Sequence, residues 1–465
     1  MTPSNAAAPT FALRSPSSGE IIAQIPDHGV TEAKAAADRS VTAFASWRRT
    51  TVYARAALLR TFFDLMLRDE QEIAVLIARE MGKPVTEALG EVRYAASFIE
   101  WYAEEAKRVF GDIVPSQVPG KRLLVTQEPV GPVYAVTPWN FPAAMATRKI
   151  APALAAGCTV ILKPAEQSPL TALKMLELWT EAGGPADTVQ IITASDPIAV
   201  TKVMMDDARI RKVTFTGSTE VGRLLAAQAA PTLKRVSLEL GGHAPYLIFA
   251  DADLDQAVTD VIACKFRNAG QTCVCTNRIY VQRDILEDFT ARLTRAVSAL
   301  KMGDPLDKST QIGPLVNQQG MEKVKRHVQD ALAKGAVATI GGEAGEGLYF
   351  HPTVLTGVTP DMLVMQEETF GPVAPLLAFD TEEEAVQAAN DTEFGLAAYI
   401  WTTDLNRAFR VSERLEYGII GLNDPVPSTA QAPFGGVKQS GYGREGGPWG
   451  IQEYLNTKYL SIMVR

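Results

Sequence analysis

Cysteine and histidine are both scarce, four of each in 465 residues. Cys158, Cys264, Cys273 and Cys275 are too few for a disulfide scaffold in so long a chain, and they point to a reducing compartment. His28, His243, His327 and His351 lie far apart with no HxxxH or CxxC spacing, so no metal site is visible. Long apolar runs are missing too. Ala151 to Leu162 is interrupted by Pro152, Gly157 and Thr159, well short of the roughly 18 residues a membrane span needs. Met1 to Pro16 has no basic cluster followed by an apolar core, so it does not read as a signal peptide. The formal net charge of −8 comes from scattered acids and bases. That excludes the basic stripe a nucleic acid or membrane surface would need. A soluble, cytoplasmic protein without nucleic-acid or membrane partners is the expectation.

What is present is ample apolar material, 46% of the residues, in a chain too long for a single core. Thr31 to Trp47, Arg55 to Arg68 and Gln71 to Met81 carry apolar residues at helical spacing. A short β-prone run follows at Leu123 to Val125. From Gly131 to Leu240 the pattern alternates, with strand-like PVYAVT, CTVILK, TVQIIT, KVTF and RVSLEL separated by helices starting near Pro142, Ser168, Ala199 and Thr219. Such alternation predicts a parallel, nucleotide-binding sheet. A second α/β series, including PYLIF, NRIYVQ, PVAPLLAF and AAYIW, runs from Pro245 to about Asn423, and TKYLSIMVR forms a β-prone tail. Gly441, Gly443 and Gly446 spell GxGxxG, but no good strand precedes them and too little chain follows for a βαβ unit.

Four segments carry the chemistry: PWNFP at 138–142, LELGG at 238–242, GQTC at 270–273 and ETFGP at 368–372. Each alone could be a structural turn. Together, in this order and over nearly the whole chain, they resemble the aldehyde dehydrogenase superfamily. The resemblance implies Cys273 as the nucleophile, whose thiolate adds to the aldehyde carbon. It implies Asn140 as the oxyanion donor and Glu239 as the base that activates water against the thioester. Relatives that pass the acyl group to coenzyme A generally lack that base, so Glu239 favours a free acid over a coenzyme-A-acylating or esterase-like reaction. A catalytically silent relative would be expected to have lost Cys273 or Glu239. Lys149 and Glu445 match a proton-exit pair.

For the cofactor, Lys163 and Glu166 follow the strand CTVILK, where such folds place ribose contacts. A carboxylate there accepts from both ribose hydroxyls of NAD and repels the 2′-phosphate of NADP, which Lys163 would attract; NAD is favoured and NADP stays open. Gly217 and Ser218 stand at a helix start suited to pyrophosphate, where Ser218 also reads as a plain N-cap. Glu368 and Phe370 match residues that hold the nicotinamide ribose, and Trp139 lines the same region. Arg148 and Arg267, with Ser428, resemble the pattern of succinic semialdehyde dehydrogenases. There two guanidinium groups clamp a substrate carboxylate. Pro425 and Pro427 depart from that pattern, so glutaric semialdehyde, another ω-carboxy aldehyde or an uncharged one stays open. Cys275 has two readings: a side chain filling space, or the partner of a reversible disulfide with Cys273.

The fold this implies is α/β, a Rossmann-like cofactor domain beside an α/β catalytic domain, with a small β arm for a homodimer or homotetramer. The cofactor domain would take residues 1–110 and 130–241, the catalytic domain 242–445, and the arm 111–129 with 446–465.

Overall fold

In the computed structural model, residues 9–464 are described. The reading of the amino terminus lies outside them for Met1 to Ala8, as does Arg465. Four helices follow an antiparallel hairpin, Thr10–Arg14 with Ile21–Pro26. They are Val30–Trp47, Val52–Arg68, Glu70–Met81 and Val85–Glu105, so three expected helices are found within a few residues. Thr51 accepts from Ala54 N to start the second, and Gly82, at φ 83°, stops the third. The fourth is additional, and its 21 residues make it the longest of the described helices.

The alternating region folds into a six-stranded sheet. Its order is Gly441–Tyr442, Arg235–Glu239, Lys212–Thr216, Val133–Val136, Val160–Lys163, Val189–Ile191, parallel except for the first strand. The chain leaves Val133–Val136 toward one edge and returns on its other side at Lys212–Thr216. That reversal opens a crevice at the strands' carboxyl ends, where α/β sheets hold ligands. Trp139 and Asn140 follow the first of these strands; Gly217 and Ser218 follow the second. The expected GxGxxG decoy is instead this sheet's antiparallel edge, Gly441 pairing with Glu239.

A seven-stranded sheet takes the second half, ordered Val337–Ile340, Thr353–Thr356, Val373–Phe379, Thr276–Gln282, Ala244–Ile248, Ala397–Trp401, Ile419–Leu422. Only Val337–Ile340 is antiparallel. Tyr246 stacks on Trp401 in its core, with ring centroids 4.0 Å apart. Lys121–Pro129 pairs residue by residue with Leu455–Met463, and Asp112–Val114 completes an antiparallel arm. Gly447–Gln452, assigned to the arm in the sequence division, is a short helix packed on Pro142–Ala156 and Val85–Glu105. The architecture is α/β with a Rossmann-like sheet. Among the described residues no helix is long and apolar enough to cross a membrane, and no cluster of His, Cys, Asp or Glu is arranged for a metal ion.

Candidate active site

Asn140 sits in the turn between strand Val133–Val136 and helix Pro142–Ala156, whose first residue is a proline that needs no N–H there. Its side chain is buried, and Nδ2 donates to the Gln271 carbonyl at 3.1 Å. Cys273 lies beyond a tight turn in which Asn268, Ala269 and Gly270 all have positive φ, at 52°, 52° and 75°. A Cβ on Gly270 would meet the Gly371 carbonyl oxygen at 2.1 Å, so only glycine fits. The turn delivers Cys273 to the boundary of two cavities, and the thiol's residue lines both.

The first cavity, about 310 Å³, lies against the crevice of the six-stranded sheet. Trp139, Gly217, Ser218, Glu368 and Phe370 line it. Ser218 lines the cavity and caps helix Thr219–Ala229, accepting from Val221 N, which sets the positive end of that helix's dipole beside the cavity. Trp139 and Phe370 meet edge to face with centroids 5.6 Å apart. Glu368 accepts from Gly242 N at 3.2 Å, and burial pushes its carboxyl up to about 7. An amide-rich helix start, a flat aromatic wall and a hydroxyl-accepting carboxylate fit a dinucleotide. Lys163 and Glu166 line neither cavity. They form an ion pair with each other at the end of the neighbouring strand, so neither charge stands free, as the sequence reading had assumed.

The second cavity, about 330 Å³, holds Arg148, Arg267 and Ser428 together. Arg148 Nη2, Arg267 Nε and Ser428 Oγ are buried without hydrogen-bond partners. Leaving buried donors unpaired costs about 1–3 kcal/mol each, a cost an anionic ligand would relieve. Arg148 is not a free cation. Its Nε lies 2.8 Å from Glu445 Oε2, and its guanidinium lies 3.7 Å from the centre of the Phe434 ring. Glu445 therefore serves Arg148 as well as Lys149, which also donates to Thr216 Oγ1 at 2.6 Å.

Glu239 ends its strand fully buried, its carboxylate without a partner and packed against Gly435. Burial, then the charge of Glu445, pushes it well above the ordinary carboxylate range. Burial also raises Glu445, but Lys149 and Arg148 outweigh it and hold Glu445 below that range. The two neighbouring carboxyls are thus pushed in opposite directions, the split that lets two acids take different roles. Burial pushes the Cys273 thiol up to about 12, against the pull of Arg148.

Cys275 lines neither cavity; its buried thiol lies 3.4 Å from the carbonyl oxygens of Lys265 and Thr276. Those are the contacts of a packed side chain, the first of the two readings the sequence leaves for this residue. Sequence reading missed Lys83, Glu87, Tyr94 and Phe434 in the second cavity and Lys323 in the first. Glu87, just before Ala88, and Glu91, just before Val92, stand one turn apart and were a visible break in an apolar stripe.

The chain matches the aldehyde dehydrogenase family over residues 2–460. It is 51% identical to succinate-semialdehyde dehydrogenase [NADP(+)] GabD of Escherichia coli, covering 97% of this chain and 94% of that protein. Identity to glutarate-semialdehyde dehydrogenase of Pseudomonas putida is 49%, over 98% and 95% of the two chains. Among solved structures, an Escherichia coli NADP-dependent enzyme superposes with a TM-score of 0.97 at 50% identity, covering 98% of this chain and 95% of that one.

Proposed function

The chain belongs to the aldehyde dehydrogenase family, and from that premise we propose that it oxidises an ω-carboxy semialdehyde, succinic semialdehyde first, to the dicarboxylic acid. The observation that carries this is the second cavity, where unpartnered donors of Arg148, Arg267 and Ser428 converge beside Cys273. A carboxylate bound there by charge-assisted hydrogen bonds presents the far-end aldehyde to the thiol.

The ionised form of Glu239 takes the Cys273 thiol proton and passes it toward Glu445 and Lys149, the sulfur adds to the aldehyde carbon, and Asn140 Nδ2 with the Cys273 N–H stabilises the resulting oxyanion. A nicotinamide dinucleotide in the first cavity supplies the hydride acceptor. Loss of hydride from that adduct leaves an acyl thioester on Cys273. Glu239 takes a proton from water as it attacks the thioester carbon, the sulfur leaves, and the free acid departs. Glu445 and Lys149 carry the proton onward. Ser218, Gly217, Trp139, Glu368 and Phe370 hold the cofactor, with Lys163 and Glu166 at its ribose end. Glu166 favours NAD, because a 2′-phosphate would have to break the Lys163–Glu166 pair. The NADP reading rests on Lys163, which would attract a 2′-phosphate, and the Escherichia coli relative is named for NADP(+). A cytoplasmic location suits both cofactors and the free thiols.

Residues 1–110 and 130–241 would carry the cofactor and 242–445 the aldehyde. Residues 111–129 with 446–465 would serve association into a homodimer or homotetramer. The test is a panel of ω-carboxy and uncharged aldehydes with NAD and with NADP, followed by reduced-cofactor absorbance. A kcat/KM for uncharged aldehydes equal to that for succinic and glutaric semialdehydes would refute the proposed substrate class.

A further inference from the structure

Helix Val85–Glu105 passes beneath both loops of the site and turns charged residues toward them. Glu87 and Glu91 are one turn apart on the same face, and Lys83 precedes Glu87 by four residues. Each makes a different backbone bond. Lys83 Nζ donates to the Asn140 carbonyl at 2.7 Å and is ion-paired with Glu91, both side chains buried. Glu91 Oε1 accepts from Ala143 N at 2.9 Å, satisfying the start of the helix that follows Asn140, where Phe141 offers no capping side chain. Glu87 Oε2 accepts from Asn268 N at 2.7 Å. Asn268 closes the circuit, its Nδ2 lying 3.2 Å from both the Asn140 and Gln271 carbonyl oxygens.

These bonds cross between the segment after the six-stranded sheet and the loop before Cys273. That loop contains two consecutive non-glycine residues in the left-handed region, a conformation that persists only where its surroundings over-determine it. Lys83 has no donor to spare for a substrate. Its three N–H groups are taken up by Glu91, by the Asn140 carbonyl and by the Phe141 ring, whose centre is 3.6 Å away. Its cation serves the backbone, although it borders the second cavity.

We propose that Lys83, Glu87 and Asn268 are positioning residues that hold the Asn140 amide and the Cys273 loop in register across the site. This rests on the reading of Asn140 and Cys273 as oxyanion donor and nucleophile. Burial pushes Glu87 up to about 7, and a neutral acceptor oxygen there would serve Asn268 N–H as well as a charged one. An amide should therefore replace it and a thioether should not.

The experiment compares Glu87→Met, Glu87→Gln, Lys83→Met and Asn268→Ala with Cys273→Ala and Asn140→Ala. It reads kcat and KM for succinic semialdehyde, the iodoacetamide alkylation rate of Cys273, and the thermal melt. Glu87→Met and Lys83→Met are expected to lower kcat by about tenfold to a hundredfold with KM nearly unchanged, as a misplacement of about 1 Å would. Glu87→Gln should recover most of the loss, and the alkylation rate should follow kcat. Should Glu87→Met fail to fold, Asn268→Ala, which loses only the Nδ2 bonds, is expected to show the same split. Wild-type kcat in Glu87→Met and Asn268→Ala, or no recovery in Glu87→Gln, overturns the positioning role while inactive Cys273→Ala and Asn140→Ala leave the catalytic reading standing. Full activity in either of those two variants overturns the catalytic reading itself, and the proposal with it.

Discussion

Arg148 and Arg267 face one cavity but are held differently. Arg148 shares Glu445 with Lys149 and lies on Phe434, whereas Arg267 has an unpartnered Nε and lies 5.5 Å from the centre of the Phe141 ring. Arg267→Ala should therefore be the clean specificity variant. It is expected to raise KM for a carboxylated semialdehyde by about tenfold to a hundredfold, the worth of a charge-assisted bond of about 1.5–3 kcal/mol, and barely change it for an uncharged aldehyde. Arg148→Ala also removes a partner of Glu445, so kcat should fall on both substrates; steady-state kinetics on matched aldehydes reads the difference. Glu239 gives a second prediction. Burial raises its carboxyl well above the ordinary carboxylate range, and only the ionised form can take a proton from water. Thioester hydrolysis should rise with pH in the wild type and be flat and slow in Glu239→Gln, whose acyl adduct on Cys273 mass spectrometry would detect. A Glu239→Gln enzyme that hydrolyses as the wild type does, with the same pH rise, rules this out. Cys275→Ala is expected to be inactivated by mild peroxide and rescued by a thiol reductant just as the wild type is. Irreversible loss in that variant alone would restore the disulfide reading.

At the scale of elements, periodicity was enough to find the parallel strands of the six-stranded sheet and four of those in the seven-stranded one, because a strand buried on both faces reads as a short β-branched run wherever it ends up; the four-residue strands Thr353–Thr356 and Ile419–Leu422 were too short to stand out. It was not enough for helix Val85–Glu105, whose apolar face is broken by carboxylates that need partners from elsewhere in the fold. Glu80 shows the same effect one helix earlier. From helix Glu70–Met81 it accepts from Leu170 N and Thr171 N, serving the start of helix Pro169–Glu181. Burial nonetheless pushes it up to about 8, from 4.5 for a free glutamate. The folded state therefore binds more proton than the unfolded one between these values. The stability this contributes is present in full below the unfolded value and is lost as pH rises through the folded one. Glu80→Gln keeps the acceptor and cannot ionise, so its melting temperature relative to wild type should climb between about pH 5 and about pH 9. A constant difference in thermal melts across that range would show that Glu80 does not carry the effect.

On the scale of the whole molecule, the three-stranded arm exposes apolar side chains along both of its edges. Ile113 on one edge of the three-stranded arm is 82% exposed, and Tyr459 and Leu460 on the other strand edge are each about half exposed. Open edges and apolar side chains together invite pairing with another chain. Ile113→Asp with Leu460→Asp should give a smaller species by light scattering with little change in the thermal melt of either large sheet. An unchanged mass would rule out association through this arm. The sequence by itself determined the family and the two parallel sheets, along with the loops in which Asn140, Glu239 and Cys273 stand. Those features are written in residues next to one another: strand runs, turn residues and four short motifs. Only the tertiary structure decided that Cys273 borders two cavities, that Glu445 divides itself between Arg148 and Lys149, and that Lys83, just ahead of helix Val85–Glu105, and Glu87, on it, reach the Asn140 carbonyl and the Asn268 N–H. Such distances exist only once the two sheets have packed, because a buried charge is defined by the partner that folding brings to it.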